Sequence, residues 1–187
     1  MDEKREIRLQ KLEALRQRGM DPFQAGFTKS LDIGQIIEHE AAHTGHAVET
    51  AGRIVAIRRH GKSAFADLQD FSGKIQLYAK KDTLGDAFDD FDRLDLGDIV
   101  SVSGEVFKTH KGELTIKIDR YTLLVKTLRE LPEKWHGLKD PELRERMRYL
   151  DFMTNEAARR IQIQRARILR HIRQFFDDRG FIEMETP

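Results

Sequence analysis

A chain of 187 residues has room for one or two small domains, and with no cysteine it excludes disulfides, thiolate nucleophiles and cysteine-built zinc or iron–sulfur sites. With 33 basic against 32 acidic residues, the net charge of +1 points to no charged partner by itself. The charges are segregated, however: Arg58, Arg59, His60 and Lys62 cluster, with Lys108, His110 and Lys111 further on, while Asp82, Asp86, Asp89, Asp90, Asp92, Asp95 and Asp98 crowd a separate segment.

The opening MDEKREIRLQ is charged and lacks the apolar region of a secretory signal. No apolar run approaches membrane-spanning length, so no membrane partner is expected and the cytoplasm is the expected location. Asp2 to Arg18 reads as an amphipathic helix with a narrow stripe of Ile7, Leu12 and Leu15, stopped by Gly19. Asp21 to Ser30, with Pro22 and Gly26, reads as a loop. Leu31 to Ala42 reads as a short helix carrying Leu31, Ile36 and Ile37. His39-Glu40-Ala41-Ala42-His43 spells H-E-x-x-H, which on a buried helix would offer two imidazoles to zinc. Here the helix stops at Thr44-Gly45, its flanks are polar and no third ligand stands nearby, so a solvent-exposed helix end is the expectation and no metal site is assigned.

Ala47 to Arg59 is the first long strand, with Val48, Ile54, Val55 and Ile57; Gly52 suggests a bulge or bend within it. A bulge exchanges the two faces, so alternation leaves open whether Arg58 or Arg59 points outward. Two strands follow in GKSAFADLQDFSGKIQLY, residues 61–78, joined by a turn at Ser72-Gly73. Ala64, Ala66 and Leu68 fall on one side of the first, opposite Phe65 and Asp67; Ile75 and Leu77 alternate with Lys74, Gln76 and Tyr78 in the second. Burying the aliphatic set presents rings, an amide and cations together. Single-stranded nucleic acid is recognised by such a face: bases stack on rings, an amide reads a base edge and cations hold phosphates. The competing reading places Phe65 in the core and leaves Gln76 as ordinary surface.

Asp82 to Leu94 reads as a helix, with Leu84, Phe88, Phe91 and Leu94 inward and the acidic residues outward. Ile99 to Thr109 is a fourth strand, Lys111-Gly112 a turn, and Leu114, Ile116 and Ile118 mark a fifth strand that runs through Tyr121 to Val125. Three strands, a helix, then two strands is the order of a five-stranded OB-fold barrel, whose ligand surface lies on strands two and three. Lys126 to Asp151, punctuated by Leu131-Pro132 and Asp140-Pro141, reads as an interdomain linker with one short helix. Thr154 to Arg179 is the longest helix, with Ile161, Ile168, Leu169, Ile172, Phe175 and Phe176 on one broad face, capped by Thr154 or Asn155 and ended by Gly180. Phe181, Ile182 and Met184 open a strand that stops at Pro187. Such a face and half-strand need a partner: a second copy, the rest of a longer protein, or both. The expected class is mainly β with α: an N-terminal helical extension (1–45), an OB-fold barrel (46–127), a linker (128–153) and the start of a further domain (154–187).

The barrel core GKSAFADLQDFSGKIQLY, the strands LDLGDIVSVSGEVFKTHKGELTI, the linker LPEKWHGLKDPELRERMRYLD and the tail RGFIEMETP together resemble the N-terminal portion of bacterial lysyl-tRNA synthetases, class II aminoacyl-tRNA ligases. The tail is similar to class II motif 1, a helix and strand that build the dimer interface and end at a proline. The resemblance implies an anticodon-binding barrel whose stacking aromatic is Phe65 and whose base-reading glutamine is Gln76. It also implies an arginine at Arg58 or Arg59, and Glu113, from the KGEL turn, near another anticodon base. It implies tRNA(Lys), with a uridine-rich anticodon, and a homodimer as partners. ATP and Mg2+ belong to the full enzyme, whose motifs 2 and 3 would lie beyond Pro187; no catalytic residue and no cofactor is expected in these 187 residues, which alone should bind tRNA without charging it. A free-standing OB module for single-stranded nucleic acid and a fragment of an aspartyl-type synthetase are the alternatives.

Overall fold

In the computed structural model residues 3–23, 26–131 and 140–185 are described. Residues 132–139 of the expected linker, the expected helix start at Asp2, and the terminal Thr186 and Pro187 lie outside them. The chain divides into two compact units, 1–130 and 131–187.

The first unit opens with α1 (Glu3–Gln17), then α2 (Ile33–Glu38) and α3 (Glu40–His43). Five strands follow: β1 (Ala47–His60), β2 (Ser63–Gln69), β3 (Lys74–Lys80), β4 (Ile99–Lys108) and β5 (Leu114–Val125), with α4 (Lys81–Leu84) and α5 (Ala87–Asp92) between β3 and β4. The strands close into a barrel in the order β1-β2-β3-β5-β4, β4 pairing back onto β1. The seam between β3 and β5 is its one parallel pairing, running from Gln76↔Thr115 to Tyr78↔Lys117. Closure leaves no exposed sheet edge, and every strand alternates an inward aliphatic with an outward residue. Ala64, Ala66, Leu68, Leu77, Val100, Val106, Ile116 and Ile118 are wholly buried in one core, joined by Ile33 and Ile36 of α2 and by Leu84, Phe88, Phe91 and Leu94.

Several elements depart from the sequence reading. The helix expected over Leu31–Ala42 breaks at His39, whose φ of −108° and ψ of 39° interrupt it. His39 is exposed, and among the described residues no three metal-ligating side chains gather. The helix expected over Asp82–Leu94 is two short ones, interrupted at Gly85, whose positive φ of 57° stops a helix. The bulge in β1 is at Val55, where the ladder to β2 skips a residue between Ile54 and Ala56. Gly52 has a different use: a Cβ there would lie 2.7 Å from the carbonyl oxygen of Gln69, so β1 and β2 approach too closely for any side chain.

In α1, Leu12 is buried, but Ile7 is exposed and Arg8 takes the buried position instead. Its guanidinium donates to the carbonyls of Arg129 (2.9 Å), Thr127 (3.3 Å) and Leu96 (3.3 Å), groups that no strand partner satisfies. Lys11 from the same helix and Arg18 just past its end bind Asp95 (2.7 Å) and Asp90 (2.6 Å), and the buried Lys126 binds Asp95 and Asp98. The acidic segment is therefore largely spent on internal ion pairs and is not a free negative face.

The second unit holds α6 (Pro141–Arg146), α7 (Arg148–Thr154) and α8 (Glu156–Asp177). Two short helices thus stand where one was expected. Asp140 caps α6 by accepting from the Glu142 amide, with Pro141 at the first helical position. Asp151 is buried and pins the three helices, accepting from Arg144 (3.0 Å), Arg148 (2.8 Å) and Asn155 (3.2 Å). Asn155 caps α8, and Gly180 closes it with the Phe181 amide donating back to the Phe176 carbonyl. Ile161, Ile168, Leu169, Ile172, Phe175 and Phe176 are all exposed. Phe181, Ile182 and Met184, expected to open a strand, pair with none among the described residues, since a strand needs a neighbour to hold it.

Candidate nucleic-acid interface

The outer wall of the barrel gathers the polar and aromatic residues into two rows. Cross-strand register places Arg58 opposite Phe65, Phe65 opposite Tyr78 and Tyr78 opposite Lys117. The next row is Asp67 opposite Gln76, Gln76 opposite Thr115 and Thr115 opposite Phe107. Residues opposite one another share a face, so both rows point away from the core. The wholly buried Ala64, Ala66 and Leu68 between them leave Phe65 and Asp67 nowhere else to go.

Phe65 is half-buried on this wall and is part of a strip of rings. Its centroid is 4.8 Å from that of Tyr78 with the planes tilted 31°, and 6.3 Å from His60; Tyr78 is in turn 6.3 Å from Phe107. Offset packing at these spacings holds the rings against the sheet while one face stays available for stacking.

The bulge at Val55 decides the arginine. It turns Ile57 inward opposite Ala66 and Arg58 outward beside Phe65. Arg58 reaches Asp67 at 3.1 Å, a carboxylate it shares with Lys74 at 3.3 Å, so two cations border the ring strip. Arg59 turns away, donating to the Asp92 carbonyl (2.9 Å) and carboxylate (3.1 Å) and to the Leu94 carbonyl (3.0 Å). It clamps the end of β1 to the end of α5.

Gln76 and Glu113 come together. The turn between β4 and β5 is made by Gly112 at φ 81°, with the Gly112 amide donating to the Thr109 carbonyl and the Glu113 amide to the Thr109 hydroxyl. It delivers Glu113 so that its Oε2 accepts from Gln76 Nε2 at 2.9 Å. On the other side the wholly buried Thr115 hydroxyl lies 3.0 Å from Gln76 Oε1.

The β2–β3 turn is organised by Asp70. Its carboxylate accepts from the amides of Ser72 (2.7 Å) and Gly73 (2.9 Å), the Ser72 hydroxyl, the Ile33 amide at the start of α2, and Lys29 (2.7 Å). Burial alone would raise its pKa, but Lys29 and these donors outweigh it and hold the group at about 2.

An apolar cavity of about 290 Å³ lies elsewhere, between α1 and the barrel, bordered by Leu15, Met20, Leu94, Tyr121 and Leu123. Burial pushes the Tyr121 hydroxyl's pKa up. The cavity contains none of the residues of the outer wall, and an open wall suits a splayed strand better than a closed pocket.

Of the residues expected at the site, Arg58, Phe65, Gln76 and Glu113 lie on this wall, and Arg59 does not. His60, Asp67, Phe107 and Thr115 join them. The signal for Asp67, Phe107 and Thr115 was register, which places them in the second row, whereas His60 stands opposite Ser63 and joins through its ring contact with Phe65.

Comparison with known proteins agrees with this geometry. Residues 48–124 match the model of the OB-fold nucleic acid binding domain, and residues 140–187 match that of class II tRNA synthetases for aspartate, lysine and asparagine. The barrel is thus of the OB-fold kind, and the residues after it are similar to part of a class II tRNA synthetase domain. Along nearly its whole length it is similar to lysine–tRNA ligases: 49% identical over 182 residues to that of Moorella thermoacetica and 48% to that of Carboxydothermus hydrogenoformans, each covering 97% of this chain and 37% of the relative. The ligase of Bacillus cereus is 43% identical over 189 residues, 38% of its length. The chain therefore spans well under half the length of these relatives.

Proposed function

We propose that the outer wall of the barrel reads the anticodon of tRNA(Lys), with Phe65 stacking on a base, Gln76 and Glu113 meeting base edges and Arg58 holding a phosphate. The observation that carries this reading is the convergence of an outward-facing ring, an oriented amide and a guanidinium on one wall of an OB-fold barrel. Arg59 is left out of the set because it is engaged by Asp92 and Leu94. The test is binding of anticodon stem-loops. An all-uridine anticodon should bind at least about tenfold more tightly than the same stem with an aspartate anticodon or a scrambled loop, a difference of about 1.4 kcal/mol. Equal affinities would instead leave a general single-strand-binding module.

For the protein as a whole we propose lysine–tRNA ligation in the cytoplasm: lysine is adenylated by ATP with Mg2+ and passed to the terminal ribose of the tRNA. The barrel contributes positioning, because anticodon contacts made far from the chemistry hold the acceptor end in register. The exposed apolar face of α8 is proposed to meet a second copy. Among the described residues no helix is long and apolar enough to cross a membrane.

A further inference from the structure

We infer that Thr115 is a positioning residue that, with Glu113, fixes the polarity of the Gln76 amide and so selects a nucleobase offering a carbonyl over one offering an amino group. This rests on the anticodon reading proposed above and deepens it.

A glutamine amide has one accepting and one donating end, and the fold must decide which faces the ligand. Here both ends are committed. A carboxylate only accepts, so Glu113 Oε2 at 2.9 Å requires Nε2 on its side; the flipped amide would set two oxygens against each other. The carbonyl end then points to Thr115, whose hydroxyl has a single proton and two oxygens in reach, Gln76 Oε1 at 3.0 Å and the Glu113 carbonyl at 3.1 Å. Thr115 is wholly buried, so water does not replace it as the donor. Nε2 has two protons and Glu113 takes one. Gln76 is half-buried on the outer wall and its second N–H has no acceptor among the described residues, leaving a donor on the wall that carries Phe65 and Tyr78.

A donor in that place pairs with a base carbonyl. Uracil has one at the position where cytosine carries an amino group, so cytosine would set donor against donor, and an unmet or opposed polar group costs tenfold or more in affinity. Without the Thr115 hydroxyl, Oε1 has no partner and the amide is free to swing off Glu113. Affinity falls modestly, and the preference between the two pyrimidines falls further.

The test uses the 187-residue chain with stem-loops whose all-uridine anticodon is changed to cytosine one position at a time. In the parent, one position should show at least about a tenfold preference for uracil. Thr115→Val, which keeps the shape, should bring that ratio below about threefold, while Thr115→Ser restores it. A general loss of barrel stability would lower affinity for all loops and leave the ratio alone. A parent-like ratio in Thr115→Val overturns the inference. A parent that binds the all-uridine loop no better than a scrambled one removes the anticodon reading itself, and the inference with it. Should the valine variant not fold, the Gln76 side-chain amide in the parent decides. A rigid Nε2, with an order parameter near that of the barrel backbone, supports the lock, and one below about 0.6 overturns it.

Discussion

Arg58 stands directly across the β1–β2 ladder from Phe65, on the outer wall, because a single extra residue at Val55 reverses the alternation of β1 before it reaches its basic end. The neighbouring Arg59 is turned to the carbonyls of Asp92 and Leu94. The two arginines should therefore separate by experiment. Arg58→Gln should reduce the slope of log affinity against log salt by about 0.7, the value for one phosphate on a single strand. Arg59→Gln should leave the slope unchanged and lower barrel stability by about 1 kcal/mol per lost hydrogen bond. Titrations of stem-loop binding over a range of salt, paired with urea melts, measure both.

Phe65 is the ring that stands directly across the ladder from that guanidinium. Stacking on an aromatic contributes about 1–3 kcal/mol per base, so Phe65→Ala should weaken stem-loop binding tenfold or more. Because the ring lies outside the aliphatic core, the barrel should keep its fold, visible as an unchanged amide spectrum. Full affinity in a folded variant would place the stacking elsewhere on the strip, at Tyr78 or Phe107.

Asp70 ties the β2–β3 turn to α2 and should make barrel stability depend on acid. Its pKa is held at about 2 in the fold, below the unfolded value near ~3.9, so its contribution is present above pH ~4 and is lost as pH falls towards 2. The side chain is only 7% exposed, so the full shift counts, on the order of 2 kcal/mol. Asp70→Asn should be less stable than the parent by that order at pH 7, with the gap closing between pH 4 and pH 2. Urea unfolding followed through barrel amide resonances gives the two curves, and parallel curves would remove Asp70 as the acid-sensitive group.

Gly104 sits where the β4–β5 ladder skips a residue, and a Cβ there would overlap the backbone carbonyl of Lys117. Both partners are main chain, so neither yields without opening the ladder. Gly104→Ala should cost about 1–3 kcal/mol, typical of overpacking, and should loosen the β3–β5 seam that carries Thr115. Hydrogen exchange at the amides of β5 reports it directly.

The exposed aliphatic and aromatic face of α8 predicts self-association. Sedimentation equilibrium should find a dimer at micromolar concentration, and Ile168→Asp, at a residue 59% exposed, should return it to a monomer without unfolding α8. A parent that stays monomeric would assign that face to another part of a longer chain.

The strands and their inward residues were legible because alternation is a local property. Ala64, Ala66 and Leu68 read as the core side from seven residues of sequence, and the order of elements then named the barrel. The helix caps were legible for the same reason: Asn155 and Gly180 bound α8 through contacts within one turn. The single long helices expected over 31–42 and 82–94 were not, since apolar spacing runs through the backbone breaks at His39 and Gly85 without recording them.

Alternation by itself offered a sheet wall with Phe65 and Gln76 facing out beside a reading that buries Phe65, and the wholly buried Ala64, Ala66 and Leu68 of the closed barrel decide for the outward ring. Only the closed barrel decided that Arg58 joins them and Arg59 does not, that Glu113 and Thr115 grip the two ends of one amide, and that the acidic segment is paired off by cations from several elements, Lys11, Arg18, Arg59 and Lys126 among them. Each of these turns on register between strands or helices far apart in the chain. A one-residue bulge changes that register, and no local pattern records the change.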